Sequence, residues 1–211
     1  MNKYNFLAIE GTIGAGKTSL ATMISEDFNA KLILEGFADN PFLPKFYKEA
    51  DKYAFPLELS FLAERYQQLS DQLSKQDLFK NFTISDYFIN KSLIFAQKTL
   101  PDDVFGLYAK LFHIMNSSLP KPDLLVYLYL KVEKLQENIK KRGRDYEQNI
   151  ENEYLEKIQT GYFDFIRQQQ GMRILILDTN QIDFVNNPTD YQKIISLIDQ
   201  DYEIGVHRIE V

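Results

Sequence analysis

Eight residues near the start of the chain have the types and spacing to hold a phosphate. Gly11-Thr12-Ile13-Gly14-Ala15-Gly16-Lys17-Thr18 reads glycine, four residues, then Gly-Lys-Thr. It follows a strand-like run and opens a helical one, the setting in which this pattern forms a phosphate-binding loop. The glycines permit a tight turn whose amides converge on phosphate oxygens, and the helix N-terminus adds positive potential. Gly11, Gly14, Ala15, Gly16, Lys17, Thr18 and Ser19 are the expected phosphate-binding set. Lys17 should reach the β- and γ-phosphates of ATP, and the Thr18 hydroxyl should ligate Mg2+. No Asp-x-x-Gly follows a later strand and no Asn-Lys-x-Asp occurs, which argues against a signalling GTPase.

A carboxylate, Glu35, directly follows the apolar run Lys31-Leu32-Ile33-Leu34. There it can accept a proton from an attacking hydroxyl while a metal ion and basic groups stabilise the transferring phosphoryl. His113 and His207 are lone, far apart in sequence and without ligand spacing, so a structural role is expected of both.

These groups need a frame. Tyr4 to Ile9, Lys31 to Leu34, Phe82 to Ser85, Leu124 to Leu130 and Arg173 to Leu177 read as strands, and Gly205 to Val211 is strand-like. Helices come between them. One is signalled by Asn40 before Pro41, another by Pro101 before Asp102 and Asp103. A third shows one apolar face through Leu155, Ile158, Tyr162, Phe165 and Ile166. Continuous apolar strands alternating with helices predict an α/β fold, a parallel sheet covered on both faces with ligands beyond the strands' carboxyl ends.

With 211 residues and no repeat or linker, one domain spanning 1–211 is expected. The composition, 45% hydrophobic and 26% charged, is that of an ordinary globular protein. The net charge of −6 argues against nonspecific nucleic-acid binding, which needs clustered cations. The absence of cysteine excludes disulfides and thiolate metal sites and fits a cytoplasmic setting. No apolar run approaches the roughly 20 residues of a membrane span.

The phosphate loop, Glu35, Asn40-Pro41-Phe42-Leu43-Pro44-Lys45-Phe46-Tyr47 and Tyr53-Ala54-Phe55-Pro56-Leu57-Glu58 together resemble the deoxynucleoside kinases. The resemblance continues through Asp86, Pro122 to Leu128 and Lys141-Arg142-Gly143-Arg144-Asp145-Tyr146-Glu147, and ends near Asp178. It implies a three-layer P-loop sandwich with a five-stranded parallel sheet, a lid around 140–150 and a homodimer. It also implies transfer of the γ-phosphoryl of ATP to the 5′-hydroxyl of a deoxynucleoside. In that pattern Glu35 is the base, and Tyr47 and Glu147 hold the sugar 3′-hydroxyl. Arg142 and Arg144 clamp the transferring phosphate, Asp86 lies near magnesium, and Arg65 lies on the floor of the site.

Two positions depart from the family. Asp86-Tyr87-Phe88 lacks the arginine that should follow the acid; Arg65 or Lys91 substituting, the lid arginines sufficing, or impaired catalysis are the alternatives. Glu58 replaces the glutamine that reads the base. A carboxylate is acceptor-only and suits the two adjacent donors of guanine's edge, which tilts the expectation to deoxyguanosine. Rival readings are a thymidylate-type monophosphate kinase and a nucleotide-binding relict without activity. The stripe Phe105, Tyr108, Leu111, Phe112 and Met115 suits either a dimer face or the core.

Overall fold

Apolar runs too short for helices pair side by side here, and the longer amphipathic segments between them cover both faces of the resulting sheet. The computed structural model describes residues 1, 3–36, 40–75 and 77–211. Its strands are β1 (Phe6–Gly11), β2 (Lys31–Ile33), β3 (Thr83–Ser85), β4 (Leu124–Tyr129), β5 (Arg173–Asp178) and β6 (Gly205–Glu210). They form one sheet in the order β2-β3-β1-β4-β5-β6, and every pairing is parallel. The register runs from Ala8 beside Ser85 on one flank to Leu128 beside Leu177 across the other.

The expected five strands are all present, and the sheet has a sixth. Gly205 to Glu210 pairs with Arg173 to Asp178 along its whole length. It is an edge strand whose residues alternate between half-buried and exposed, so its apolar content is too thin to announce a core strand.

The helices are α1 (Lys17–Asp27), α2 (Leu43–Phe46), α3 (Ala50–Leu73), α4 (Asn90–Thr99), α5 (Asp102–Asn116), α6 (Val132–Arg142), α7 (Asn152–Gln168) and α8 (Pro188–Ile198). Strand alternation divides the core in two. Leu7, Ile9, Val126, Leu128, Leu175 and Leu177 face α1, α6 and α8, while Phe6, Ala8, Tyr127, Ile174 and Ile176 face α3, α4, α5 and α7. This is the three-layer arrangement expected.

Asp102 and Asp103 occupy the first turn of α5 behind Pro101, as the sequence indicates. The Asn40 signal is displaced. Asn40 Oδ1 accepts from the Phe42 amide at 3.0 Å, closing a turn, and α2 begins only at Leu43. The aromatic stripe of α5 turns inward: Tyr108 and Phe112 are fully buried, leaving Leu107, Leu111 and Ile114 on the outside. Among the described residues no helix is long and apolar enough to cross a membrane.

Candidate active site

The phosphate loop leaves the carboxyl end of β1 and enters α1 with Gly14 and Gly16 at φ +85° and +88°. A Cβ on Gly14 would lie 2.7 Å from the carbonyl oxygen of Leu135, and one on Gly16 would lie 2.8 Å from the Phe184 ring. Only glycine meets both demands. Lys17 folds over the loop, its Nζ donating to the carbonyls of Gly11 and Thr12 at 2.9 and 3.0 Å. Burial and the nearby Lys91 charge lower its ammonium to about 8.

Asp86, at the end of β3, meets the first turn of α1. Thr18 Oγ1 donates to Asp86 Oδ2 at 2.6 Å, and the backbone amide of Glu35 donates to Oδ1 at 2.8 Å. A hydroxyl and a carboxylate at a loop made for phosphates suit a hard cation that completes its shell with phosphate oxygens and water. Among the described residues no group of three or more His, Cys, Asp or Glu side chains could form a metal cage.

Glu35 is held from two sides. Arg65, from α3, places Nη2 2.6 Å from Oε1, and Lys91, from α4, places Nζ 2.5 Å from Oε2. Burial pushes this carboxyl up, but the charges and hydrogen bonds of Lys91 and Arg65 prevail and bring it down to about 2. It is ionised at any physiological pH. Arg65 also donates through Nη1 to Ser92 Oγ at 2.7 Å, so its fork has one orientation. It is buried, not exposed on the surface.

A cleft of about 720 Å³ joins Lys17, Thr18, Glu35, Tyr47, Glu58, Arg65, Asp86, Lys91, Arg142, Arg144 and Glu147. Helical spacing brings Glu58 and Arg65 to one buried face of α3. Glu58 is 2% exposed, and Thr99 Oγ1 donates to its Oε1 at 3.1 Å. Burial is the main reason its carboxyl rises to about 7, partly offset by Arg65. Tyr47 lies at the end of α2, its ring stacked on Tyr146 with centroids 6.4 Å apart, and burial raises its phenol well above the ordinary range.

The segment after α6 completes the cleft. Gly143 ends α6 in the left-handed region at φ +73°, and a 3-10 turn spans Asp145–Glu147. Arg142 pairs with Oε2 of Glu147, and Arg144 Nη1 lies 3.2 Å from Oε1. A second groove, about 1650 Å³, runs from Gly14 to Ser19 past Lys141, Arg142 and Arg144 to Thr179 and Phe184. The two spaces meet at Lys17, Thr18, Arg142 and Arg144, as a donor nucleotide and an acceptor require.

Every expected site residue thus borders one of these two spaces, except Gly11 at the end of β1. Three further residues stand out. Glu10 is buried at the end of β1, accepting from the Phe88 amide at 2.7 Å and from the Tyr162 hydroxyl at 2.8 Å. Its signal was a lone acid closing the apolar run Leu7-Ala8-Ile9. Thr99 and Phe184 carry no comparable signal, since each meets the site from a distant part of the chain.

Parallel strands feeding a phosphate loop, with a carboxylate and paired cations across the cleft, define a nucleotide-dependent phosphotransferase. The deoxynucleoside kinase family model matches residues 7–202. The chain is 42% identical to a deoxyguanosine kinase of Bacillus subtilis over 199 residues, 92% of this chain and 96% of the relative. It is 31% identical to a deoxyadenosine kinase of Dictyostelium discoideum, covering 93% of this chain and 79% of that protein. In fold it matches the deoxyadenosine kinase of M. mycoides with dCMP and dCDP bound. There the TM-score is 0.80 at 24% identity, covering 92% and 98% of the two chains. The chain belongs to the deoxynucleoside kinase family. It is an enzyme of that activity, and the thymidylate-type and inactive-relict readings give way to it.

Proposed function

We propose that the acceptor is a purine deoxynucleoside, deoxyguanosine before the others, and that the donor is ATP. The observation that carries this choice is Glu58. Above its value of about 7, the carboxylate on the floor of the cleft, buried and held by Thr99, offers two acceptors to the N1–H and N2 amine of guanine. The 42% identity to a deoxyguanosine kinase supports the same choice.

In this reading Glu35 accepts the proton of the 5′-hydroxyl as its oxygen attacks the γ-phosphorus in line, and the bond to the departing diphosphate breaks. Lys17, Arg142 and Arg144 stabilise the charge on the transferring group. Tyr47 and Glu147 hold the sugar 3′-hydroxyl, and Arg65 fixes Glu35. Thr18 and Asp86 would hold Mg2+, which would supply positive charge against the phosphates. Residues 140–150 act as a lid within a single domain, closing over the phosphates and excluding water. The cysteine-free sequence leads us to place the protein in the cytoplasm, and the family resemblance leads us to a homodimer, which sedimentation at micromolar concentration would test.

The decisive experiment is transfer from labelled ATP to each of four deoxynucleosides and to dTMP, with Glu35→Gln beside the wild type. Preferred transfer to deoxyguanosine that falls by about 10²-fold or more in Glu35→Gln is the expected result. Strong preference for deoxyadenosine or a pyrimidine nucleoside would overturn the base assignment, and full activity in Glu35→Gln would overturn the proton acceptor.

A further inference from the structure

The family arginine is missing at Tyr87, and the Tyr87 side chain does not replace its charge. It is fully buried, its hydroxyl donating to Gln68 Oε1 at 2.6 Å, and Gln68 in turn donates to the Leu34 carbonyl at 3.0 Å. The residue braces the strand end that carries Glu35 and leaves the cleft itself alone.

A cation reaches the cleft from elsewhere. Lys91 is the second residue of α4, and its side chain is 9% exposed. Its Nζ lies 2.5 Å from Glu35 Oε2, the oxygen left open by Arg65, which binds Oε1. It borders the cleft together with Lys17, Thr18 and Asp86, close enough to Lys17 for their charges to repel. Glu10 attracts both lysines from behind the sheet end. Keeping two ammonium groups buried in one cavity is costly unless anions occupy it with them. Glu35 and Glu10 provide some of that charge, and donor phosphates would provide the rest.

We propose that Lys91 takes over the task of the absent arginine as a positioning residue: it fixes Glu35 Oε2 against the acceptor hydroxyl, on the side of the site facing the transferring phosphoryl group. The inference rests on Glu35 being the proton acceptor. The hydroxyl proton passes to Glu35, the new O–P bond forms, and the electron pair of the broken bond leaves with the diphosphate.

The test compares Lys91→Met, Lys91→Gln and Lys91→Arg, alone and on the Glu35→Gln background, with deoxyguanosine and ATP. In Lys91→Met, kcat should fall by about 10²-fold while KM for the nucleoside stays within about threefold. Lys91→Arg, which restores the charge, should recover at least about a tenth of wild-type kcat. On the Glu35→Gln background Lys91→Met should cost less than about threefold, because two residues acting as one unit are not additive. If Lys91→Met does not fold, Lys91→Gln, which retains a donor without the charge, carries the same comparison. Wild-type kcat in the neutral variants, an equal loss in Lys91→Arg, or an undiminished penalty on the Glu35→Gln background would each overturn the proposal. Full activity in Glu35→Gln alone would overturn the proton-acceptor reading and this one with it. A normal Glu35→Gln loss beside an active Lys91→Met would overturn only the role of Lys91.

Discussion

Thr18 donates to Asp86 across 2.6 Å, tying the first turn of α1 to the carboxyl end of β3. On the proposed reading these two oxygens would hold a divalent cation beside the phosphates in place of the hydrogen bond between them. Asp86→Asn keeps the shape and removes the charge. The Mg2+ concentration for half-maximal rate should then rise by about 10- to 100-fold, the scale of a lost ligand-shell interaction. Chelation should abolish transfer in the wild type, and added Mg2+ should restore it. An unchanged Mg2+ titration in Asp86→Asn would remove Asp86 from the metal's surroundings.

If Glu58 reads the base, base choice should depend on pH. Its carboxyl is raised to about 7, mainly by burial; Glu35 adds to the rise, while Arg65, Thr99 and Lys91 oppose it. Below that value the protonated acid resembles an amide, and above it only acceptors remain. The preference for deoxyguanosine over deoxyadenosine, taken as the ratio of kcat/KM, should therefore rise between pH 6 and 8. In Glu58→Gln the ratio should be flat and lower. Competition assays across that range decide it, and a flat wild-type ratio would refute it.

The same group gives a stability prediction of definite sign. A carboxyl raised from the unfolded value, 4.5, to about 7 contributes stability below 4.5 that is lost as pH rises through 7. Glu58→Gln does not titrate. Its melting temperature relative to wild type should rise between pH 5 and 8, with a limit of about 3 kcal/mol from the size of the shift. For a chain of this length that is several °C, at about 2–4 °C per kcal/mol. A difference that stays flat across this range would mean that the folded carboxyl is ionised throughout.

Glu147 has two sets of claimants. Arg142 and Arg144 take its two oxygens, and Tyr47 lies against the neighbouring Tyr146 in the same cleft. If Glu147 holds the sugar 3′-hydroxyl, a substrate lacking that hydroxyl should lose most in the wild type. Wild type should discriminate against the 3′-deoxy analogue by about 10-fold or more, the worth of a hydrogen bond to a charged group. Glu147→Ala should bring that factor near one. An equal discrimination in both proteins would place the hydroxyl elsewhere.

How far this was legible follows from where each residue gets its position. Lys17, Thr18, Glu35 and Asp86 sit at strand ends or on the loop between, so recognising strands places them at the mouth of the sheet. Glu58 and Arg65 share a face because seven residues make two helical turns. Lys91 is different: only the packing of the helices brings it to Glu35, and the sequence offered it only as one of two substitutes, beside Arg65. Tyr87 was legible as an absence of charge but not as a brace, because Gln68, its partner, lies on α3. The edge strand β6 was readable as strand-like. Its place in the sheet depends on pairing with β5, which no local pattern encodes.

The phosphate loop offers a test that separates local strain from chemistry. Gly14 has φ +85°, and an added Cβ would sit 2.7 Å from the backbone oxygen of Leu135 on α6, an atom that cannot swing aside. The left-handed backbone alone costs a side chain about 1–2 kcal/mol, and relieving the contact must move α6 away from the loop. Gly14→Ala should therefore lower stability by about 2–3 kcal/mol and weaken nucleotide binding through the displaced amides. Gly171 is the control, since nothing lies within 4 Å of a Cβ there. Gly171→Ala should match the wild type in both respects. Thermal melts with and without nucleotide measure the two effects together. A Gly14→Ala protein with wild-type melting and nucleotide affinity would mean that the loop and α6 are not packed as described.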